Sequence, residues 1–142
     1  MIKKVVVSAA GQGTRMLELS KDKSKHLITV AERPFLAYLL DNIVKAGYLE
    51  IILVVGFREE MIGEFLKTYD AKGAKITMVN QLKILGPKEK EYGTACPIKC
   101  VKDIVGNESF ISLCGDNFYS VEDLKSMNVD DDMTYVAGLK SD

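Results

Sequence analysis

The chain has one histidine, His26, and three cysteines, Cys96, Cys100 and Cys114. No second histidine exists to share a metal, and the cysteines offer no metal-type spacing, so a Cys/His metal site is not indicated. An odd cysteine count also argues against a disulfide framework and for reduced thiols in a cytoplasmic protein. Cys96 and Cys100 stand one helical turn apart and read as small buried apolar side chains. The net charge is only −1, so no global field recruits nucleic acid or an anionic membrane, and any anion site must be built locally. No apolar segment approaches the ~20 residues needed to span a bilayer, and the run in MIKKVVV is too short for a signal peptide. Repeats, low-complexity tracts and a second domain are absent. With 47% apolar and 27% charged residues in 142, the composition is that of one soluble globular domain. A domain of this length buries roughly two thirds of its unfolded surface and needs no disulfide staple.

Patterning predicts alternating strands and helices. Ile2 to Val7, Ile51 to Val55, Lys75 to Asn80 and Phe110 to Leu113 read as strands, and Met133 to Leu139 as a fifth. Val5, Val6 and Val7 form a continuous β-branched run, the mark of a strand buried on both faces. Pro34 suits the first turn of a helix carrying Leu36, Leu39, Leu40, Ile43 and Val44, and Gly47 supplies its stop. Glu59 and Glu60 suit the start of a second helix with an apolar stripe of Ile62, Phe65, Leu66 and Tyr69. Gln81 to Tyr92 holds a Gly86-Pro87 break and a charged KEKE run without periodicity, so it reads as a loop. Thr94 is placed to cap a helix bearing Ala95, Ile98, Val101, Ile104 and Val105. A short helix near Val121 to Met127 follows, and Asp130 to Asp132 read as a solvated turn. The expected class is α/β with a mostly parallel sheet covered on both faces.

One stretch stands out, Ser8 to Lys25, SAAGQGTRMLELSKDKSK. It follows a buried strand, bends sharply at Gly11 and Gly13, and carries Arg15, Lys21, Lys23 and Lys25, the ingredients of a clamp for a polyanion. A dinucleotide fingerprint would need a further glycine at position 16, which is methionine, and an acid ending the second strand, which ends Val54-Val55-Gly56. The phosphate loop of the common NTPases is also missing. In parallel sheets ligands bind outside the carboxyl ends of the strands, and the glycine bend, Gln81 and Asp116 all fall on that edge.

Ala9-Ala10-Gly11-Gln12-Gly13-Thr14-Arg15, with Ser24-Lys25 ten residues on, resembles the signature of sugar nucleotidyltransferases. The likeness is closest to glucose-1-phosphate thymidylyltransferases and extends to Lys25-His26-Leu27-Ile28-Thr29-Val30, Val105-Gly106-Asn107 and Gly115-Asp116-Asn117-Phe118. The resemblance implies a three-layer Rossmann-like nucleotidyltransferase fold truncated on its C-terminal side, with residues 1–142 forming the nucleotide-binding part. It implies transfer of a nucleoside monophosphate from dTTP or UTP to a sugar 1-phosphate, glucose 1-phosphate first, with release of pyrophosphate. Ala9, Ala10, Gly11, Gly13 and Thr14 would cradle the nucleotide, and Arg15 would hold the leaving phosphates. Lys25 would serve the α-phosphate and the incoming sugar phosphate, and Asp116 would hold Mg²⁺. Gln81 would read a pyrimidine edge, with Gly93 and Thr94 beside the base.

The same residues admit plainer readings. Gly11 and Gly13 suit an ordinary strand-to-helix turn, Lys21 and Lys23 solvated loop charges, Asp116 a Gly-Asp-Asn turn, and His26 a packing or solvent position. Thr29, Glu18, Thr94 and a long segment from Gln81 to Gly93 depart from the family pattern, and the last two leave dTTP and UTP both open. A binding or regulatory module without turnover and a cytidylyltransferase for a non-sugar phosphate are the alternatives. Homo-oligomerisation stays open.

Overall fold

The computed structural model describes residues 1–11, 24–87 and 93–138. Lys4–Ala9 forms β1, a single 3-10 turn spans Lys25–Leu27, and Thr29–Val30 (β2) and Arg33–Pro34 (β3) make a small antiparallel hairpin. Next come α1 (Phe35–Lys45), β4 (Glu50–Val55), α2 (Glu59–Thr68), β5 (Lys75–Asn80) and α3 (Gln81–Leu85). After these, α4 (Cys96–Cys100), α5 (Lys102–Val105), β6 (Phe110–Cys114) and α6 (Val121–Ser126) complete the order. The main sheet runs β5-β4-β1-β6 and every pairing in it is parallel.

The continuous apolar runs are explained by what lies on each face. Val5, Val7, Ala9, Ile51, Leu53 and Val55 turn one way and pack with Leu36, Leu39, Leu40 and Ile43 of α1, Ile62 of α2 and Leu124 of α6. Val6, Ile52, Val54 and Val79 turn the other way onto Cys100, Val101 and Val105. Because successive strand residues alternate faces, a strand covered on both sides must be apolar at every position. Tyr48 is fully buried and donates its hydroxyl proton to the Leu124 carbonyl, 2.6 Å away, tying α6 to the sheet. Gly47 ends α1 at φ +98°, a backbone region costly for other residues. Glu59 and Glu60 occupy the first turn of α2, where the helix dipole favours acids.

Several expectations are corrected. The first strand runs two residues further than its pattern suggests, so Ser8 and Ala9 belong to β1 and the Ala9 methyl is in the core. Pro34 precedes α1 at its cap position and pairs with Thr29 in the hairpin instead of sitting in the first helical turn. Gln81 to Leu85 is helical, because the Asn80 side chain accepts a hydrogen bond from the Lys83 N–H at 3.1 Å and caps the turn. Downstream, Thr94 is no cap. Ala95 holds that position without a side-chain bond, and the expected single helix breaks at Val101 into α4 and α5.

Residues 133–138 form no strand, and Met133, Tyr135 and Val136 are exposed. A strand exists only through ladder bonds to a neighbour, and none pairs there among the described residues. Asp131 instead accepts from the Met133 N–H at 2.8 Å and from the Tyr135 hydroxyl at 2.7 Å, which holds the chain in a local turn. The three aspartates are exposed, as expected of a solvated turn. No helix among the described residues is long and apolar enough to cross a membrane.

Candidate functional site

From β1 the chain crosses to β4 and then β5 on one side, whereas β6 lies on the other side of β1. Connections therefore diverge above the carboxyl ends of β1 and β6, where such sheets form a crevice. Gly115 leaves β6 there, and its N–H donates to the Ser8 carbonyl of β1 at 2.8 Å. A Cβ on residue 115 would stand 2.6 Å from that same oxygen, so only glycine fits. Asp116 is thereby delivered at the lip of the crevice.

Lys25 arrives from the opposite wall. The 3-10 turn that carries it is anchored by its buried neighbours Ser24 and His26, whose Oγ and Nδ1 are 3.2 Å apart. The His26 ring packs over Gly115, with Cδ2 3.1 Å and Nε2 3.3 Å from where a Cβ would be. Burial first, and the neighbouring Lys25 charge second, lower the His26 pKa to about 4, so the ring is neutral at pH 7. It acts as a spacer, in keeping with the packing role expected of it.

Lys25 Nζ donates to Asp116 Oδ2 at 3.0 Å. Its Cε and Nζ also lie 3.1 Å from the position of a Cβ on Gly11, so the glycine bend accommodates the ammonium against its backbone. Burial pushes the Asp116 carboxyl up, but the hydrogen bond and charge of Lys25 outweigh it and leave the pKa below the ordinary value. The carboxylate is therefore ionised at neutral pH. Gly11 and Lys25 form one cluster with Asp116, which lies 91 residues beyond Lys25 in the chain.

The sheet end away from this pair carries the second group. Gly56, just after β4, would place a Cβ 3.2 Å from the Ala10 carbonyl and 3.5 Å from Leu82 Cγ, so α3 closes onto the start of the bend. Gln81 opens α3 at the end of β5, and its Oε1 is buried with no hydrogen-bond partner among the described residues. Such an orphaned acceptor costs on the order of 1–3 kcal/mol unless something donates to it. Gly93, at φ +147°, and Thr94 are exposed and lead into α4, which packs against β1 and α3. Gly13, Thr14 and Arg15, with Lys21 and Lys23, lie outside the described residues.

Sequence reasoning missed several supports. Tyr119 accepts from the Cys114 N–H at 3.2 Å and the Asn117 amide at 3.4 Å, bracing the Asp116 turn. Asn42 of α1 in turn donates to the Tyr119 carbonyl at 2.9 Å. Nothing local marked these residues, but Gly56 was a readable signal, standing at a strand end that a dinucleotide site would have filled with an acid. Among the described residues no group of three His, Cys, Asp or Glu side chains converges on a metal position. One ionised, half-exposed carboxylate does suit a cation such as Mg²⁺, which keeps its waters and takes its remaining ligands from phosphate oxygens. A cavity of about 500 Å³ lies elsewhere, lined by Arg33, Asp41, Phe65, Tyr69 and Lys72. There Asp41 already accepts from both Arg33 and Tyr69 at 2.8 Å, so its carboxylate asks for no ligand.

Known proteins resemble this chain in sequence and in fold. The chain is 32% identical over 117 residues to the UTP–glucose-1-phosphate uridylyltransferase AglF of Haloferax volcanii, with 81% of this chain and 44% of that protein covered. It is 31% identical over 115 residues to the glucose-1-phosphate thymidylyltransferase of Streptomyces griseus, covering 81% of this chain and 30% of the relative. Among solved structures, the UTP-bound UGPase of Acinetobacter baumannii matches with TM-score 0.70 at 28% identity, over 89% of this chain and 51% of that one. The chain thus spans about half or less of the length of these relatives. The nucleotidyl transferase family model matches residues 4–132. With that match across nearly all the elements of the parallel sheet and the crevice above it, the chain belongs to the nucleotidyl transferase family.

Proposed function

We propose that residues 1–142 are the nucleotide-binding part of an enzyme that transfers a nucleoside monophosphate from UTP or dTTP to a sugar 1-phosphate, glucose 1-phosphate first, releasing pyrophosphate. The observation that carries the proposal is the Lys25–Asp116 pair, held against Gly11 and beside Gly115 above the divergence of β1 and β6. Relatives named for uridylyl, thymidylyl, cytidylyl and guanylyl transfer support the reaction class and leave the base open.

In the proposed reaction an oxygen of the sugar phosphate attacks the α-phosphorus, and the bond to the bridging oxygen of pyrophosphate breaks. The attacking monoester is already anionic, with a second pKa near ~6, so no general base is needed. Catalysis then consists of holding two polyanions in line and neutralising charge as it moves to the leaving group. Lys25 would turn its ammonium from Asp116 to the α-phosphate and the incoming phosphate. Asp116 would hold Mg²⁺, which when bound supplies positive charge at phosphate oxygens. Arg15 would bind the leaving phosphates through its planar fork. Gln81 Oε1 would accept the N3–H that uracil and thymine share, a donor that neutral cytosine lacks.

A thermal-shift panel of UTP, dTTP, CTP, ATP and GTP with Mg²⁺ tests this. UTP or dTTP is expected to give the largest rise, since a ligand at 100 times its Kd adds about 2.7 kcal/mol. Equal or larger shifts from purine triphosphates would overturn the pyrimidine reading. The alternative is a module of the same fold that binds nucleotide without turnover. Pyrophosphate release from UTP or dTTP with glucose 1-phosphate, measured on this chain supplemented with the remaining half of such an enzyme, separates the two, because a module would bind nucleotide and still release none.

A further inference from the structure

We infer that the Lys25–Asp116 ion pair is a latch on the crevice, in which each partner occupies the other's ligand position, so that a divalent cation and a triphosphate enter together and neither enters well alone. The inference rests on the proposed roles of Lys25 and Asp116. The ammonium is 3.0 Å from the carboxylate, with the lysine side chain 22% and the aspartate 52% exposed. Neither group is free to drift away. Lys25 stands between buried Ser24 and His26 with its tip against Gly11, and Asp116 follows a glycine fastened to the Ser8 carbonyl. No other ion pair of either residue is found among the described residues.

Charge decides how such a site fills. A cation arriving alone at Asp116 meets an ammonium a hydrogen-bond length away and must expel it from the one carboxylate it pairs with among the described residues. A metal-free triphosphate arriving alone at Lys25 meets the carboxylate in the same way. When both come, cation faces carboxylate and phosphate faces ammonium, so opposite charges stay adjacent throughout. A single carboxylate also cannot cage a small hard cation, which needs phosphate oxygens to complete its shell. Each ligand must then raise the affinity for the other by one common factor, as linkage requires.

Binding to single variants tests the latch without any turnover. Mn²⁺ alone, followed by water-proton relaxation, is titrated into the wild-type chain and into Lys25→Met. The variant is expected to bind it on the order of tenfold tighter, within the usual range of coupling. A lysine acting only as a phosphate ligand would leave metal binding in the absence of nucleotide unchanged. Metal-free UTP in EDTA is expected to bind Asp116→Asn more tightly than wild type by a similar factor. Equal or weaker Mn²⁺ binding by Lys25→Met would overturn the latch, and Lys25→Gln takes its place should the methionine variant melt early. If UTP and dTTP fail to bind wild type but another nucleoside triphosphate binds with Mg²⁺, the pyrimidine reading falls, while the Mn²⁺ comparison still decides the latch. If nucleotide binds and Mn²⁺ shows no gain, the latch falls and the functional reading stands.

Discussion

Lys4 and Lys25 are both largely buried beside β1, and both hold carboxylates, yet they sit at opposite ends of the sheet. Lys4 opens β1 at the amino edge, with its side chain 9% exposed. It bonds to Glu108, just before β6, and lies 3.7 Å from Glu50, the first residue of β4. Two acids surround one base, so three neighbouring strand ends are stapled and no positive charge is left for a ligand. Lys25 has one acid, a glycine under its tip, and a crevice formed by diverging connections above it. An ion pair is therefore not a site by itself. Backbone clearance and the position of the pair relative to the strand order make the difference.

The largest effect expected is a pH dependence at the carboxyl edge. His26 has a folded pKa near 4 against 6.5 for the free side chain. Between those values the unfolded chain binds a proton that the folded chain refuses, so stability rises with pH and is lost as pH falls from about 6.5 towards about 4. The loss amounts to about 3 kcal/mol at most, at 1.36 kcal/mol per pKa unit. Urea denaturation across that range should show the slope in wild type and a flatter profile in His26→Gln. An unchanged slope in the variant would assign the acid sensitivity to other groups.

Next in size is Gly115→Ala. Its methyl would stand 2.6 Å from the Ser8 carbonyl, a backbone atom that cannot swing aside. Overpacking of this kind costs about 1–3 kcal/mol. The same change should move Asp116 and weaken Mg²⁺-dependent nucleotide binding. Gly106→Ala is the control, strained by its φ of +57° but with open space around it, so it should cost stability and leave binding intact. Wild-type stability in Gly115→Ala would show that the two strand ends are less tightly fastened than their geometry states.

The smallest effects on stability come from the two lysines, and they separate the edges most directly. Lys4→Met should lower the melting temperature by a few degrees and leave nucleotide affinity unchanged. Lys25→Met should melt close to wild type, as partly exposed pairs contribute little. It should nevertheless weaken Mg²⁺–nucleotide binding by about tenfold or more, the worth of a charge-assisted hydrogen bond. Equal losses of affinity in both variants, read by calorimetry, would erase the distinction between staple and site.

Much of the fold was legible because burial has a period. The runs Val5-Val6-Val7 and Ile51 to Val55 announced strands covered on both faces, and the spacing of Leu36, Leu39, Leu40 and Ile43 announced α1. What failed was local competition between weak signals. Asn80 is an ordinary helix cap, but the Gly86-Pro87 break and the charges beyond it made the whole segment read as loop. Residues 133–138 have the right composition for a strand, but composition cannot supply the neighbour whose backbone would complete the ladder.

By itself the sequence determined the family resemblance, the carboxyl-edge placement of the glycine bend and Asp116, and the identity of Lys25 as the cation to watch. The edge placement follows from chain order, since in a parallel sheet whatever succeeds a strand lies on one edge, whereas Lys25 was singled out through the resemblance. Only the tertiary structure decided that Lys25 and Asp116 touch, that His26 is the neutral spacer beneath them, and that Ser8 and Gly115 leave no room for a side chain. Distances between residues ninety positions apart depend on sheet order and on the packing of every element between them. No local pattern encodes those, which is why the chemistry could be named from the chain and its geometry could not.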